Sequence, residues 1–149
     1  MNNKKTSSRY IQLFAGSWLI ALTLFVLSFV LKVEVNPLFQ YLLGFAIVTI
    51  ALVFGQGGFY YIEVESEKEV FRIRFFNLLP VGREYKAMEI PLSRFHKYEV
   101  KSKFGGLFHY LYLFEETGRG LAKYPPIGFT ALRKDERAII VEFLDKISR

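Results

Sequence analysis

The chain has 149 residues, a formal net charge of +6 at neutral pH and no cysteine. The lack of cysteine excludes disulfides, thiol nucleophiles and cysteine-ligated metals. Hydrophobic residues make up 52% of the chain, but they concentrate in its first part. The remainder, from residue 59 onward, is about 90 residues long, which is enough for one small domain with its own core.

Two uncharged segments near the start predict a pair of membrane helices. Residues 11–31 contain no Asp, Glu, Lys or Arg, and a helix over this run spans about 30 Å at about 1.5 Å per residue. We predict a first transmembrane helix over residues 10–31, an external loop over 32–36 and a second transmembrane helix over 37–54. Asn36 is a favoured helix N-cap, and Pro37 suits the first helical position.

The distribution of charge predicts the orientation of this hairpin. The segment 1–9 is polar and basic and is expected to be loose, the loop is neutral, and the segment 59–149 is again net basic. Cytoplasmic segments next to membrane helices are enriched in Lys and Arg, so both termini are predicted to lie in the cytoplasm, at the cytoplasmic (inner) membrane. A cleavable signal peptide has an apolar core of only about 7–15 residues, which favours a retained first helix.

After residue 58 the hydrophobic pattern changes to the alternation typical of half-buried strands. Residues 59–65 and 70–76 alternate in this way, and pairing them about a turn at 66–69 places Glu63 opposite Arg72. Gly105 followed by Gly106 predicts a tight hairpin. Further strands are predicted at residues 86–90, 94–103, 107–115 and 121–124.

One face of the hairpin at Gly105 combines basic and aromatic residues. Pairing Phe104 with Leu107 aligns the lysines of one strand with the aromatic rings of the other. Such a face is a candidate surface for a protein partner or for the headgroup layer of a membrane. The alternative is that the C-terminal helix or a neighbouring strand covers the rings, with lysine stems over their edges. The predicted partner-binding residues are Lys97, Lys101, Lys103, Phe108, Tyr110 and Tyr112.

The last segment has helical periodicity, with Thr130 as a candidate cap. Its apolar residues recur at spacings of three, four and seven, opposite charged residues, as in an amphipathic helix packed on a core. The apolar positions are Leu132, Ile139, Ile140, Phe143, Leu144 and Ile147.

The strand pair 59–76, the hairpin about Gly105 and Gly106, and the closing segment 125–147 together resemble a pleckstrin-homology-like (PH-like) barrel closed by one C-terminal helix. Behind a two-helix hairpin, this order is similar to small bacterial membrane proteins that carry a cytoplasmic PH-like domain, here residues 59–149. The resemblance implies a binding module. Many bacterial members have no assigned ligand. Eukaryotic relatives often bind inositol phosphates through basic residues in the loop of the first strand pair, but here that loop reads Ser-Glu-Lys-Glu over residues 66–69, so this ligand does not carry over.

These features predict a non-enzymatic, membrane-anchored adaptor, or an accessory subunit of an inner-membrane protein complex. The alternatives are an interfacial lipid-binding domain and a membrane-associated enzyme. Ser93 and His96 are three residues apart on a strand and point to opposite faces, which prevents direct proton transfer. His96 and His109 lack the spacing of a metal motif, so no catalytic residue, metal or cofactor is expected. The tail accounts for half of the excess charge, so nucleic acid is not an expected partner.

Overall fold

The computed structural model describes residues 1–31, 36–79 and 82–148, so the predicted external loop, apart from Asn36, lies outside the described residues. Two helices, α1 (Lys4–Val30) and α2 (Pro37–Gln56), precede a domain of two antiparallel sheets and a third helix, α3 (Lys134–Ile147). The predicted cap of α2 is confirmed, because the Asn36 side chain accepts a hydrogen bond of 2.9 Å from the Leu38 N–H.

The first two helices are long and apolar enough to cross a membrane. Only 6% of the most apolar stretch of each helix is buried in the protein, whereas the core helix of a soluble protein would be mostly covered. Large apolar side chains therefore face outward along both helices, and no part of the described chain covers them. Examples are Leu13, Leu19, Ile20, Phe29, Leu38, Phe45 and Leu52.

The N-terminal residues are fixed against the domain, so the expectation of a loose tail is wrong. Asn2 forms an isolated antiparallel bridge with Glu63, and Asn3 is only 1% exposed. The strand that they contact, residues 60–66, lies at the edge of its sheet. Its free backbone groups need partners, and the N-terminal residues supply them. The hydrogen bonds run from Val64 N–H to the Met1 carbonyl (2.8 Å), from Ile62 N–H to Asn3 Oδ1 (2.8 Å) and from Asn3 Nδ2 to the Tyr60 carbonyl (3.0 Å).

The first sheet has the order β1-β2-β3, with β1 at Tyr60–Ser66, β2 at Val70–Asn77 and β3 at Lys86–Pro91. The predicted register of β1 and β2 is wrong by two residues, because Glu63 lies opposite Arg74 rather than Arg72. The turn is tighter than expected, since the Glu67 N–H bonds to the Val70 carbonyl at 2.9 Å. A shift of two residues leaves every side chain on its expected face.

The second sheet contains β4 (Phe95–Lys103), β5 (Phe108–Thr117), β6 (Gly120–Lys123) and β7 (Ile127–Gly128). Strand β5 pairs with all three others. The predicted register of β4 and β5 is confirmed, with Lys101 opposite Tyr110. Both glycines of the connecting turn have positive φ, 67° and 94°, which a glycine adopts without strain.

Helix α3 packs on a core to which both sheets contribute, and Ile140 and Leu144 are its buried residues. Two expectations for this segment are wrong. Arg133, not Thr130, is the N-cap, and its N–H donates to Glu136 Oε2 at 2.8 Å. Ile139 was expected on the apolar face but is 53% exposed.

The neighbouring isoleucines of α3 provide a matched test of this packing. Ile140→Asp places an unpaired charge against the core and should cost about 3–5 kcal/mol of the free energy of unfolding. Ile139→Asp, one position away on the exposed side, should change it by about 0.5 kcal/mol or less. Denaturant unfolding of the full chain in detergent measures both, and equal losses would contradict the orientation of the helix.

Candidate functional site

The end of α2 is held by side chains from three different parts of the domain. The last carbonyl groups of a helix have no partner within the helix, and here hydrogen-bond donors from β2, β5 and the turn before α3 reach three successive ones. The three bonds run from Asn77 Nδ2 to Gly55 O (2.8 Å), from the Tyr110 hydroxyl to Gln56 O (2.7 Å) and from the Thr130 hydroxyl to Gly57 O (2.6 Å). We call these six residues the helix clamp.

Thr130 is the residue in the clamp with the most contacts. Its hydroxyl oxygen accepts the His109 N–H at 3.0 Å while the hydroxyl donates to Gly57, and its own N–H donates to the Gly58 carbonyl at 3.1 Å. The segments at Gly58 and Gly128 lie so close together that a Cβ atom on Gly128 would clash with the Gly58 carbonyl oxygen. No side chain therefore fits at position 128.

Aromatic rings next to the clamp also pack α1 and α2 against the start of the domain. Phe54 of α2 stacks on Phe14 of α1, with 4.4 Å between ring centroids, and on Phe59 at 4.8 Å. Tyr10 lies 5.3 Å from Phe59. The stack buries Phe54 to 7% exposure, so the helical pair and the domain are packed together, and are not simply joined by a flexible linker.

The predicted basic and aromatic face has lysine ammonium groups over its half-buried rings. Nζ of Lys97 lies 4.9 Å from the Phe114 centroid, and Nζ of Lys103 lies 5.0 Å from that of Tyr110. Lys123 of β6, which sequence reasoning missed, approaches Tyr112 to 4.3 Å. Lysine stems therefore cover part of these rings, while the side chains of Lys97 and Lys101 remain 44% and 56% exposed.

The structure divides the six predicted residues into two groups. Phe108 and Tyr110 touch the end of α2, because the Tyr110 hydroxyl is part of the clamp and a Cβ atom on Gly57 would meet Phe108 at 2.8 Å. Burial raises the pKa of Tyr110, helped by Tyr60 and Tyr112. Lys97, Lys101, Lys103 and Tyr112 make no described hydrogen bond or ion pair to α1 or α2. These four residues form what we call the lysine face.

The charges on this face are only partly balanced. Glu99 accepts hydrogen bonds from Lys97 at 2.9 Å and from Lys101 at 3.0 Å, and these two bonds lower the pKa of its carboxyl group. One carboxylate thus lies between two ammonium groups, and Lys103 faces a ring rather than an acid. The face carries a net positive charge and suits an acidic partner surface.

A second feature, which sequence reasoning missed, is a cleft of about 650 Å³ beside the clamp. Tyr10, Val53 and Phe59 form its apolar side, and Arg133, Lys134 and Arg137 from the start of α3 line the other. A groove of about 430 Å³ between α1 and α2 shares the same three residues Tyr10, Val53 and Phe59. The cleft and the groove are therefore neighbours on either side of these three residues. Only the folded chain brings these segments together, so no local pattern marks the site.

The cationic side of this junction cleft has little neutralising charge. Arg133 approaches Asp135 only to 4.0 Å, and within the described part of the chain neither Lys134 nor Arg137 forms an ion pair. Burial lowers the pKa of His109, and the charge of Arg137 lowers it further, so this imidazole is neutral at neutral pH. An anion with an apolar part matches the two sides of the cleft.

The fold and these surfaces define a protein with two apolar helices and a clamped sheet-and-helix domain. Comparisons with protein-family models, with curated proteins and with solved structures found no match for the chain. Its function must therefore be inferred from its own residues and their geometry.

The clamp makes a testable contribution to stability. Thr130→Val removes the hydroxyl but keeps the shape of the side chain, so the Gly57 carbonyl loses its donor and the His109 N–H loses its acceptor. Unsatisfied buried groups of this kind cost about 1–3 kcal/mol, which denaturant unfolding in detergent would detect. Thr130→Ser keeps the hydroxyl and should retain most of the stability. A Thr130→Val variant as stable as the native chain would show that the two hydrogen bonds contribute little.

Proposed function

We propose that this chain is a membrane-anchored, non-enzymatic adaptor: α1 and α2 span the cytoplasmic membrane, and the domain binds a protein partner in a membrane complex. The observation that carries this proposal is the combination of outward-facing apolar helices with the helix clamp. Each large apolar side chain favours removal from water by about 1.5–3 kcal/mol, and lipid is the environment that such a surface requires on all sides.

Charge supports a cytoplasmic position for the domain. Lys4, Lys5 and Arg9 lie at the end of α1 that packs against the domain, so the basic residues of the first segment and of the domain are on the same side of the apolar stretch. The positive-inside rule assigns that side to the cytoplasm. Both termini then lie at the inner face of the membrane.

The domain architecture supports a PH-like binding module. Two antiparallel sheets of three and four strands share a core with one C-terminal helix, the arrangement that the resemblance predicts. The turn between β1 and β2 carries Glu67, Lys68 and Glu69, an unsuitable site for a phosphate. We therefore assign binding to the lysine face and to an acidic protein surface.

The rigid mounting favours this adaptor role. The clamp fixes the orientation of the domain relative to its helices, so the lysine face keeps one direction relative to the bilayer. Attachment to a membrane also raises the effective concentration of the domain for partners in the same membrane. Weak contacts through a few lysines and one tyrosine are sufficient under these conditions.

Membrane insertion is tested by two charged substitutions on the outward-facing apolar surface. Leu19→Lys combined with Phe45→Lys places a charge at exposed positions of each helix, where each lysine opposes insertion by about 2.5–3.5 kcal/mol. The native chain should stay in the membrane fraction after carbonate extraction, and the double variant should be released or degraded. A reporter fused after the last residue should give a cytoplasmic signal. Release of the native chain by carbonate, or a periplasmic signal, would refute the proposal.

Partner binding is tested on the part of the predicted site that does not hold the helices. Lys101→Ala with Tyr112→Ala should lower recovery of crosslinked partners about tenfold if their contacts are worth about 1.4 kcal/mol. Lys146→Ala with Tyr85→Ala removes an exposed lysine and an exposed tyrosine outside the lysine face and should leave recovery unchanged. Equal recovery from both double variants would mean that the lysine face only covers its rings.

A further inference from the structure

We propose that the junction cleft binds one anionic phospholipid, whose phosphate lies at Arg133, Lys134 and Arg137 and whose acyl chain lies in the groove between α1 and α2. This inference deepens the proposed function and rests on it in one respect, the membrane location of the helices. It assigns a ligand to a site separate from the lysine face.

The shape of the site has the two parts that such a ligand requires. The cleft is lined on one side by cationic residues, and its apolar side, Tyr10, Val53 and Phe59, is shared with the neighbouring groove between the helices. The lining of that groove is mostly apolar and carries no charged residue, with Tyr10, Ser17 and Thr49 as its hydroxyl-bearing residues. Ligand sites combine apolar walls with a few polar groups that fix orientation, and here the charged groups are all at the cleft end.

The charges of α3 identify the polar group as a phosphate. Two guanidinium groups and one ammonium group lie within five consecutive residues, and a guanidinium matches the oxygens of a phosphate in a bidentate manner. The nearby carboxylate of Glu136 already accepts the Thr6 hydroxyl at 2.7 Å and the Arg133 N–H at 2.8 Å. Because Lys134 and Arg137 form no ion pair within the described residues, they are available to an external anion.

The position of the cleft identifies the source of the phosphate as the bilayer. Val53 lies in the last turn of α2, and Leu13, one turn beyond Tyr10, is already 69% exposed, so the cleft lies where the outward-facing apolar surface ends. The headgroup layer of the membrane begins at this level. An anionic lipid beside the helices can therefore place its phosphate at α3 without leaving the membrane.

The turn between β4 and β5 supports the same location. Phe104 and Leu107 are 76% and 70% exposed, and Leu107 also lines the cleft. Two large apolar side chains exposed at the tip of a turn are typical of a segment that enters the membrane interface.

The test uses the full chain in mild detergent, freed of lipid and titrated with phosphatidylglycerol or phosphatidylcholine of identical acyl chains. Native mass spectrometry should show one bound phosphatidylglycerol, with weaker retention of phosphatidylcholine. Arg133→Gln with Arg137→Gln should weaken phosphatidylglycerol retention about tenfold or more, since each cation near an anionic lipid favours binding by about fivefold. Arg119→Gln with Lys146→Gln, at exposed sites outside the cleft, is the matched control and should have no effect.

Further measurements separate the possible occupants and the two proposals. Val53→Trp fills the mouth of the groove and should weaken retention with all charges intact. Inorganic phosphate or an acidic peptide that displaced the lipid at equal concentration would show that the cleft binds a soluble anion or a protein segment, which would overturn the lipid assignment. Equal retention of the two lipids, or no effect of the arginine pair, would also overturn it. After carbonate extraction, the same variants should remain in the membrane fraction, as the native chain does. A loss of lipid binding can therefore be distinguished from a loss of membrane anchoring.

Discussion

The hydrogen bonds from the domain to three carbonyl groups at the end of α2 are the interaction on which the rest of the structure depends. Peptide carbonyls at the end of α2 would be costly if they were buried without partners, and Asn77, Tyr110 and Thr130 satisfy three in succession. These donors come from residues far apart in the sequence. They reach one helix end only when both sheets and the turn before α3 have formed, so completion of the domain and termination of the helix are coupled.

Strand β5 fixes the positions of the two charged surfaces relative to each other. The lysine face and the cleft both involve β5, since Phe108 lines the cleft and Tyr112 lies farther along the same strand. Strand β5 is bonded to β4 along most of its length and to β6 and β7. A continuous ladder of this kind does not bend independently at each residue, so the distance between the two surfaces is set by the strand.

The sequence predicts those parts of the fold that depend on local chemistry. Asn36 caps α2 because its side chain is next to the free N–H groups, and the glycines at 105 and 106 determine the register of β4 and β5. The predicted register of β1 and β2 differs from the observed one by two residues, because Arg72 and Arg74 carry the same charge and lie on the same face of the strand. Either alignment gives Glu63 a basic partner, so only the closure of the turn at Glu67 distinguishes them.

The candidate sites were less predictable because their residues meet only in the folded chain. Thr130 has the sequence context of a helix cap, yet its hydroxyl is used by Gly57 and His109, and Arg133 begins α3 in its place. This displacement has a consequence for the cleft. A helix that began at Thr130 would move Arg133 into its first turn, whereas the observed start places the cation at the cleft rim. The use of one threonine hydroxyl at the end of α2 therefore helps to determine where the positive charge of α3 lies relative to α1 and α2.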